Sequence, residues 1–244
     1  MAINVLVNGA KGKMGKEAVA AISADPELKL VDQTDLGDDL SARIKSSKAQ
    51  VVVDFTHPSV AIKNAETILD AGASPVIGTT GIKLEDIKKL QKKAKDKKLG
   101  GLIAPNFGIG AVLMMKYAAD AAKYLPNVEI VEYHHDNKAD APSGTAIKTA
   151  EQILEANLNI QGPNKKSKEE LRGALGAEMG NIRLHAVRLP GFVASQEVIL
   201  GGVGQTLKIR HDTINRESFM PGVVMACKKV VGLKEMVYGL EKIL

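Results

Sequence analysis

The chain has 244 residues, 45% hydrophobic and 25% charged, the composition of a globular protein with room for one large domain or two modest ones. Aromatic residues make up 3% with no Trp, which argues against a base-stacking nucleic-acid platform, and the single cysteine, Cys227, excludes an internal disulfide and a multi-cysteine metal site. The net charge of +5 gathers in lysine-rich stretches at 83–98 and 165–168; in the first, Leu84, Ile87, Leu90 and Ala94 recur at helical spacing, so it reads as an amphipathic helix with a solvated face, and the excess favours anionic ligands by steering.

Residues 3–7 form a continuous apolar, β-branched run that ends in a glycine turn, as a strand buried on both faces would. A helix over 15–23 follows, with Ala18, Val19 and Ile22 on one face. Strands are predicted at 28–31, 51–55, 75–78 and 102–104, with helices at 58–71 and 84–98 between them. This alternation predicts an α/β fold with a Rossmann-like doubly wound parallel sheet. The pattern then changes. A helix at 108–124, a period-two strand at 128–133 and a helix at 143–156 precede three alternating strands at 182–189, 193–200 and 205–211. They predict an α+β domain carrying a mixed or antiparallel sheet. Residues 161–180 are polar and glycine-containing and read as a mobile loop, and residues 217–244 return to helical spacing, with Cys227 expected in the core. The expected organisation is a dinucleotide domain of residues 1–106 and 216–244 interrupted by a substrate and oligomerisation domain at 107–215, with a hinge near Phe107 and Asn215-Arg216. No apolar run approaches the ~20 residues of a membrane helix, and the opening MAINVLVNG has neither a charged start nor a long apolar core. Cytoplasmic residence without membrane contact is the expectation.

Gly9, Gly12 and Gly15 lie between the first strand and its helix. A pyrophosphate needs a tight turn there, backbone N–H groups that reach it, and the positive end of a closely packed helix. The spacing is GxxGxxG, a variant of the usual dinucleotide fingerprint. The acid expected ~20 residues further on, at the end of the second strand, is Asp32 or Asp35. Such an acid suits the ribose of NAD, while Lys11 and Lys13 suit a 2′-phosphate, so both cofactors stay open. Gly78-Thr79-Thr80-Gly81 and Ala104-Pro105-Asn106-Phe107-Gly108 follow the fourth and fifth strands, at the sheet edge where nicotinamide is expected. His57 reads as a helix-entry residue.

The densest chemistry is EYHHDNKADAPSGTA, residues 132–146. His134 and His135 are consecutive at a strand end, so their side chains start toward opposite faces and at most one points at a reacting atom. A histidine is the natural proton donor near neutral pH. Lys138 adds positive charge for a carboxylate or a second proton donor, and Asp140 is placed to orient a histidine or the lysine. Ser143, Gly144 and Thr145 open a helix directly after Pro142, where free N–H groups and hydroxyls hold a carboxylate, or where Ser143 is simply the cap. Adjacent histidines without a suitably spaced third ligand argue against a metal.

This stretch resembles the signature of bacterial 4-hydroxy-tetrahydrodipicolinate (dihydrodipicolinate) reductases, a Glu, one residue, then HHxxKxDAPSGTA. GAKGKMG at 9–15, DFTHP at 54–58, VIGTTG at 76–81 and APNFGIG at 104–110 resemble the family's other landmarks in the same order, with Lys13 where Arg is commoner. The resemblance implies His134 as proton donor and acceptor, Lys138 as second donor, and His135, Ser143, Gly144 and Thr145 as substrate contacts. It places NADH or NADPH against Gly9, Ala10, Lys11, Gly12, Lys13 and Met14, then Asp35, Gly78, Thr79, Thr80, Ala104, Pro105, Asn106 and Phe107. Its register selects Asp35 over Asp32. Where some relatives carry Arg after that acid, this chain has Leu36, which weakens an NADP-only reading. The resemblance further implies a small dicarboxylate substrate, hydride transfer to C4, no nucleic-acid partner and a homotetramer. Two other classes remain as alternatives: a dinucleotide-sensing protein without catalysis, and a dehydrogenase of sugars or amino acids sharing the first domain.

Overall fold

The computed structural model describes residues 2–79, 82–162 and 168–244. The chain divides into two compact units, Met1–Ile109 with Arg216–Leu244, and Gly110–Asn215.

The first unit begins with β1 (Ile3–Asn8), α1 (Lys13–Ala24), β2 (Leu28–Thr34), α2 (Leu40–Ser47), β3 (Val51–Asp54), α3 (Pro58–Asp70), β4 (Ser74–Ile77), α4 (Leu84–Lys97) and β5 (Gly101–Ile103). All residues of β3, β4 and β5 are buried, which is why these strands read as unbroken apolar runs rather than as alternation. β1 pairs in parallel with β2 on one side and β3 on the other, so the order of strands reverses between β1 and β3. Ligands of such sheets sit outside the carboxyl ends of the strands at that reversal. α2 had no counterpart in the sequence reading: its eight residues bury one side chain fully, Ile44, and Asp39 caps it through a bond from the Ala42 amide.

The second unit runs through α5 (Ile109–Ala122), β6 (Asn127–His134), α6 (Gly144–Ala156), β7 (Ala177–Met179), β8 (Ile182–Arg188), β9 (Ala194–Gly202) and β10 (Gln205–Thr213). Its five-stranded sheet has the order β10-β9-β6-β8-β7; β6 runs parallel to β8 and antiparallel to β9, so the sheet is mixed. Residues 163–167 of the loop expected over 161–180 lie outside the described residues, and its end is a strand: Ala177–Met179 pairs antiparallel with β8, the chain reversing at Gly180, whose φ is +60°. The Asn181 amide, donating to the Ile160 carbonyl, anchors that turn.

The tail returns to the first unit as a 3-10 turn (Arg216–Phe219), α7 (Met220–Val230) and β11 (Met236–Tyr238). β11 corrects the all-helical reading of the tail, for it pairs in parallel with β5 and completes a six-stranded sheet of order β11-β5-β4-β3-β1-β2. Leu6, Val52, Ile68, Ile77, Leu90, Ile103 and Met236 share one core cluster, where each large side chain contributes roughly 1.5–3 kcal/mol of burial. Cys227 on α7 is fully buried, and burial pushes its thiol up to about 12, so it is an inert core residue.

Candidate active site

In the first unit the glycine turn lies at the strand-order reversal. Gly9 has φ +78°, and a Cβ there would stand 2.7 Å from the Phe55 carbonyl oxygen; a Cβ at Gly15 would stand 2.0 Å from the Gly9 carbonyl oxygen. Gly9 therefore supplies the left-handed turn and Gly15 lets α1 pack onto it, while Gly12, at ordinary φ −69°, is the bare N-cap. An N-cap without a side chain leaves the first-turn amides of α1 to an anion, as a dinucleotide pyrophosphate requires. Lys11 and Lys13 flank this cradle and are exposed. Asp35 stands beside it and accepts from the Lys11 amide (2.8 Å) and the Leu36 amide (2.8 Å). Those two backbone donors, Leu36 foremost, hold its carboxyl below the usual range. Leu36 itself is 99% exposed and brings no cation.

The loops after β1, β3 and β4 are tied together by one buried carboxylate. Asp54 accepts from Asn8 Nδ2 (2.7 Å), Asn64 Nδ2 (2.9 Å), the Thr56 hydroxyl (2.7 Å) and the Thr79 hydroxyl (3.3 Å). Gly78 faces Phe55, whose ring a Cβ would strike at 2.1 Å, and Phe55 meets Phe107 edge-on at 5.9 Å between ring centres. Of the remaining nicotinamide candidates, Ala104 is core and Asn106 accepts from the Gly108 amide at 2.7 Å. Pro105 is exposed on the same loop. Thr80 lies outside the described residues. His57 caps α3 through Nδ1, as its place before Pro58 suggests.

In the second unit β6 alternates, with Val128, Ile130 and Glu132 inward, and His134, two residues on, shares that face. His135 leaves the strand and is exposed, so the two histidines diverge. Glu132 is fully buried, yet its four acceptor positions are filled. Arg188 forks onto both oxygens (Nη1–Oε2 2.9 Å, Nη2–Oε1 2.7 Å), the Ser143 amide donates to Oε1 (3.2 Å), and His134 Nδ1 meets Oε2. Burial alone raises the Glu132 carboxyl, but the bonds from His134 and Arg188 outweigh it and hold the group below its ordinary value. Glu132 is therefore an anion, and the Nδ1 of His134 carries a proton toward it. Among the described residues Nε2 of His134 has no hydrogen-bond partner, which leaves that ring nitrogen open to a ligand.

Asp140 pairs with Lys138 rather than with a histidine, Nζ to Oδ1 at 2.6 Å, and that ammonium holds the Asp140 carboxyl low. Ser143 is the cap: its hydroxyl accepts from the Ala146 amide (3.2 Å) and its own amide is spent on Glu132. Gly144 beside it is exposed, with open space where a Cβ would project, and Thr145 is half-buried. Among the described residues no group of three or more His, Cys, Asp and Glu is arranged for a metal ion. Sequence reasoning gave no role to Glu132, Arg188 or Asp54. Glu132 was within reach, as an acid two residues before His134 on a strand shares its face. Arg188 lies across the parallel ladder from His134, a register no local pattern discloses.

Family models described as dihydrodipicolinate reductase, N-terminus and C-terminus, match residues 3–107 and 110–244. A 4-hydroxy-tetrahydrodipicolinate reductase of Coxiella burnetii is 51% identical over 244 residues, covering 100% of both chains. One of Halalkalibacterium halodurans is 50% identical, covering 99% of each. The structure of dipicolinate-bound dihydrodipicolinate reductase from Paenisporosarcina sp. TG-14 superposes with a TM-score of 0.93 at 42% identity over 100% of both chains. A probable dehydrogenase from Thermotoga maritima, at 9% identity and a TM-score of 0.66 over 98% of this chain and 92% of its own, shares the fold.

Proposed function

As this chain belongs to the dihydrodipicolinate reductase family, we propose that it reduces 4-hydroxy-tetrahydrodipicolinate to tetrahydrodipicolinate and water. The family is one of NAD(P)H-dependent oxidoreductases of diaminopimelate and lysine biosynthesis, and the glycine turn fits such a cofactor. Gly9, Ala10, Lys11, Gly12, Lys13 and Met14 hold the pyrophosphate, Asp35 the ribose, and Gly78, Thr79, Ala104, Pro105, Asn106 and Phe107 the nicotinamide end. Residues 1–106 and 216–244 thus serve the dinucleotide, and residues 107–215 the substrate.

Gly144 and Thr145, at the start of α6, and the cation of Lys138 bind the substrate carboxylates, and His135 adds a contact. Loss of the 4-hydroxyl as water leaves a conjugated cyclic imine. The reduced nicotinamide, when bound, supplies a hydride to C4 of that ring. The electron pair displaced onto the ring nitrogen is quenched by a proton from Nε2 of His134, with Lys138 as the second donor, and His134 regains its proton from solvent. The observation that carries this reading is the Glu132 carboxylate shared by His134 and the Ser143 amide, which joins a proton donor to an anion-binding helix start. Oxidation of NADH or NADPH with freshly prepared substrate tests it: turnover with at least one is expected, and none with either overturns it. We further propose, on the family resemblance, a cytoplasmic homotetramer; a monomer in sedimentation equilibrium overturns the oligomeric part.

A further inference from the structure

We infer that Glu132, clamped by Arg188, is a positioning residue that fixes the tautomer of His134 so that Nε2 is the proton-transfer atom. This rests on the reading of His134 as the proton donor. Three observations carry it. Glu132 is fully buried and two residues from His134 on the same face of β6, with Oε2 on Nδ1. Arg188, opposite His134 in the β6–β8 register, occupies both carboxylate oxygens in a planar fork. Arg188 is itself fixed by bonds to the Asp140 and Val187 carbonyls at 2.7 and 2.8 Å. The carboxylate can therefore neither rotate away nor offer a donor. Nδ1 is left as N–H in the neutral ring, Nε2 takes up a proton, and the doubly protonated ring delivers it.

A glutamine at 132 reverses this. Its one carbonyl oxygen goes to the Arg188 fork, and its amide N–H then faces Nδ1. The neutral ring must accept there and carry its proton on Nε2, and the doubly protonated ring has no acceptor. Glu132→Gln is expected to lower kcat roughly 10²–10⁴-fold, the size seen when an imidazole is held in the wrong tautomer or an acid–base group is lost. The substrate KM and the NADH Kd should stay within about threefold, because Glu132 is fully buried and presents no surface to either ligand. ¹⁵N spectra of the imidazole should show the Nδ1–H form in the wild type and the Nε2–H form in the variant. Since Glu132 acts through His134, the double variant Glu132→Gln/His134→Gln should be no slower than His134→Gln alone, within about twofold.

Wild-type kcat in Glu132→Gln, an unchanged tautomer, or additive losses in the double variant would overturn the inference. If His134→Gln itself keeps full activity, the reading of His134 as proton donor fails instead, a separate result. Should Glu132→Gln fail to fold, Glu132→Asp keeps a carboxylate for Arg188 but withdraws it from Nδ1. It is expected to fold and to lose kcat, and wild-type kcat there overturns the inference as well.

Discussion

Two glycines of the first turn, Gly9 and Gly12, should respond differently to the same added methyl group. At Gly9, alanine must adopt φ +78°, which costs about 1–2 kcal/mol for an L-residue. Its Cβ also lies 2.7 Å from the Phe55 carbonyl oxygen and 2.9 Å from the carbonyl carbon, backbone atoms that cannot swing aside. Overpacking of that kind adds about 1–3 kcal/mol. Gly9→Ala should therefore destabilise the first unit by about 2–5 kcal/mol, which for a chain of this size lowers the melting temperature by roughly 4–20 °C. At Gly12, φ is −69° and the nearest atom to a Cβ is 3.2 Å away, so alanine should melt within about 2 °C of the wild type while weakening the cofactor by obstructing its cradle. Thermal melts followed by far-UV circular dichroism, with NADH titrated into each variant by fluorescence, separate the two effects. Equal melting of Gly9→Ala and wild type, or equal destabilisation by both substitutions, would refute the steric reasoning.

His134→Gln should lower kcat by roughly 10²–10⁴-fold in steady-state assay, and an unchanged kcat removes it from the mechanism. Thr145→Val should raise the substrate KM with little change in kcat; an unaltered KM contradicts its carboxylate contact. Asp35→Ala should weaken NADH by about 10-fold or more, as expected when a charged hydrogen bond is lost, and NADPH by less; equal loss for both argues against its ribose role. The pH dependence follows from the depressed carboxyl of Asp35, held low by the Leu36 and Lys11 amides. A depressed carboxyl contributes above its ordinary value and is lost only as pH falls through its lowered one. NADH affinity measured by calorimetry should thus hold from neutrality down to about pH 4.5, and a loss between about pH 6 and 5 that Asp35→Ala abolishes would contradict this.

The doubly wound sheet was legible because β1, β3, β4 and β5 are buried on both faces and so written as continuous apolar runs. The inserted mixed sheet was legible because β6 and β8 alternate, whereas β9 buries four residues in a row, Ser195, Gln196, Glu197 and Val198. α2 escaped because a short polar helix with one fully buried side chain has no apolar stripe, although Asp39 marks its cap. β7 and β11 escaped because three residues are too few to establish a period of two; each exists by pairing with a neighbour distant in sequence. In the site, the glycine turn and His-His-Lys cluster are local and were read directly. The Arg188 fork and the Asp54 network depend on strand register and on which loops meet at the sheet edge, which local spacing does not contain.

Reduction at C4 by a nicotinamide hydride is tested most directly by isotope transfer. With NADH or NADPH carrying deuterium on the transferred face and freshly prepared 4-hydroxy-tetrahydrodipicolinate, one deuterium should appear at C4 of the tetrahydrodipicolinate product. Cofactor oxidation with deuterium at another carbon, or product formed without deuterium, would contradict it.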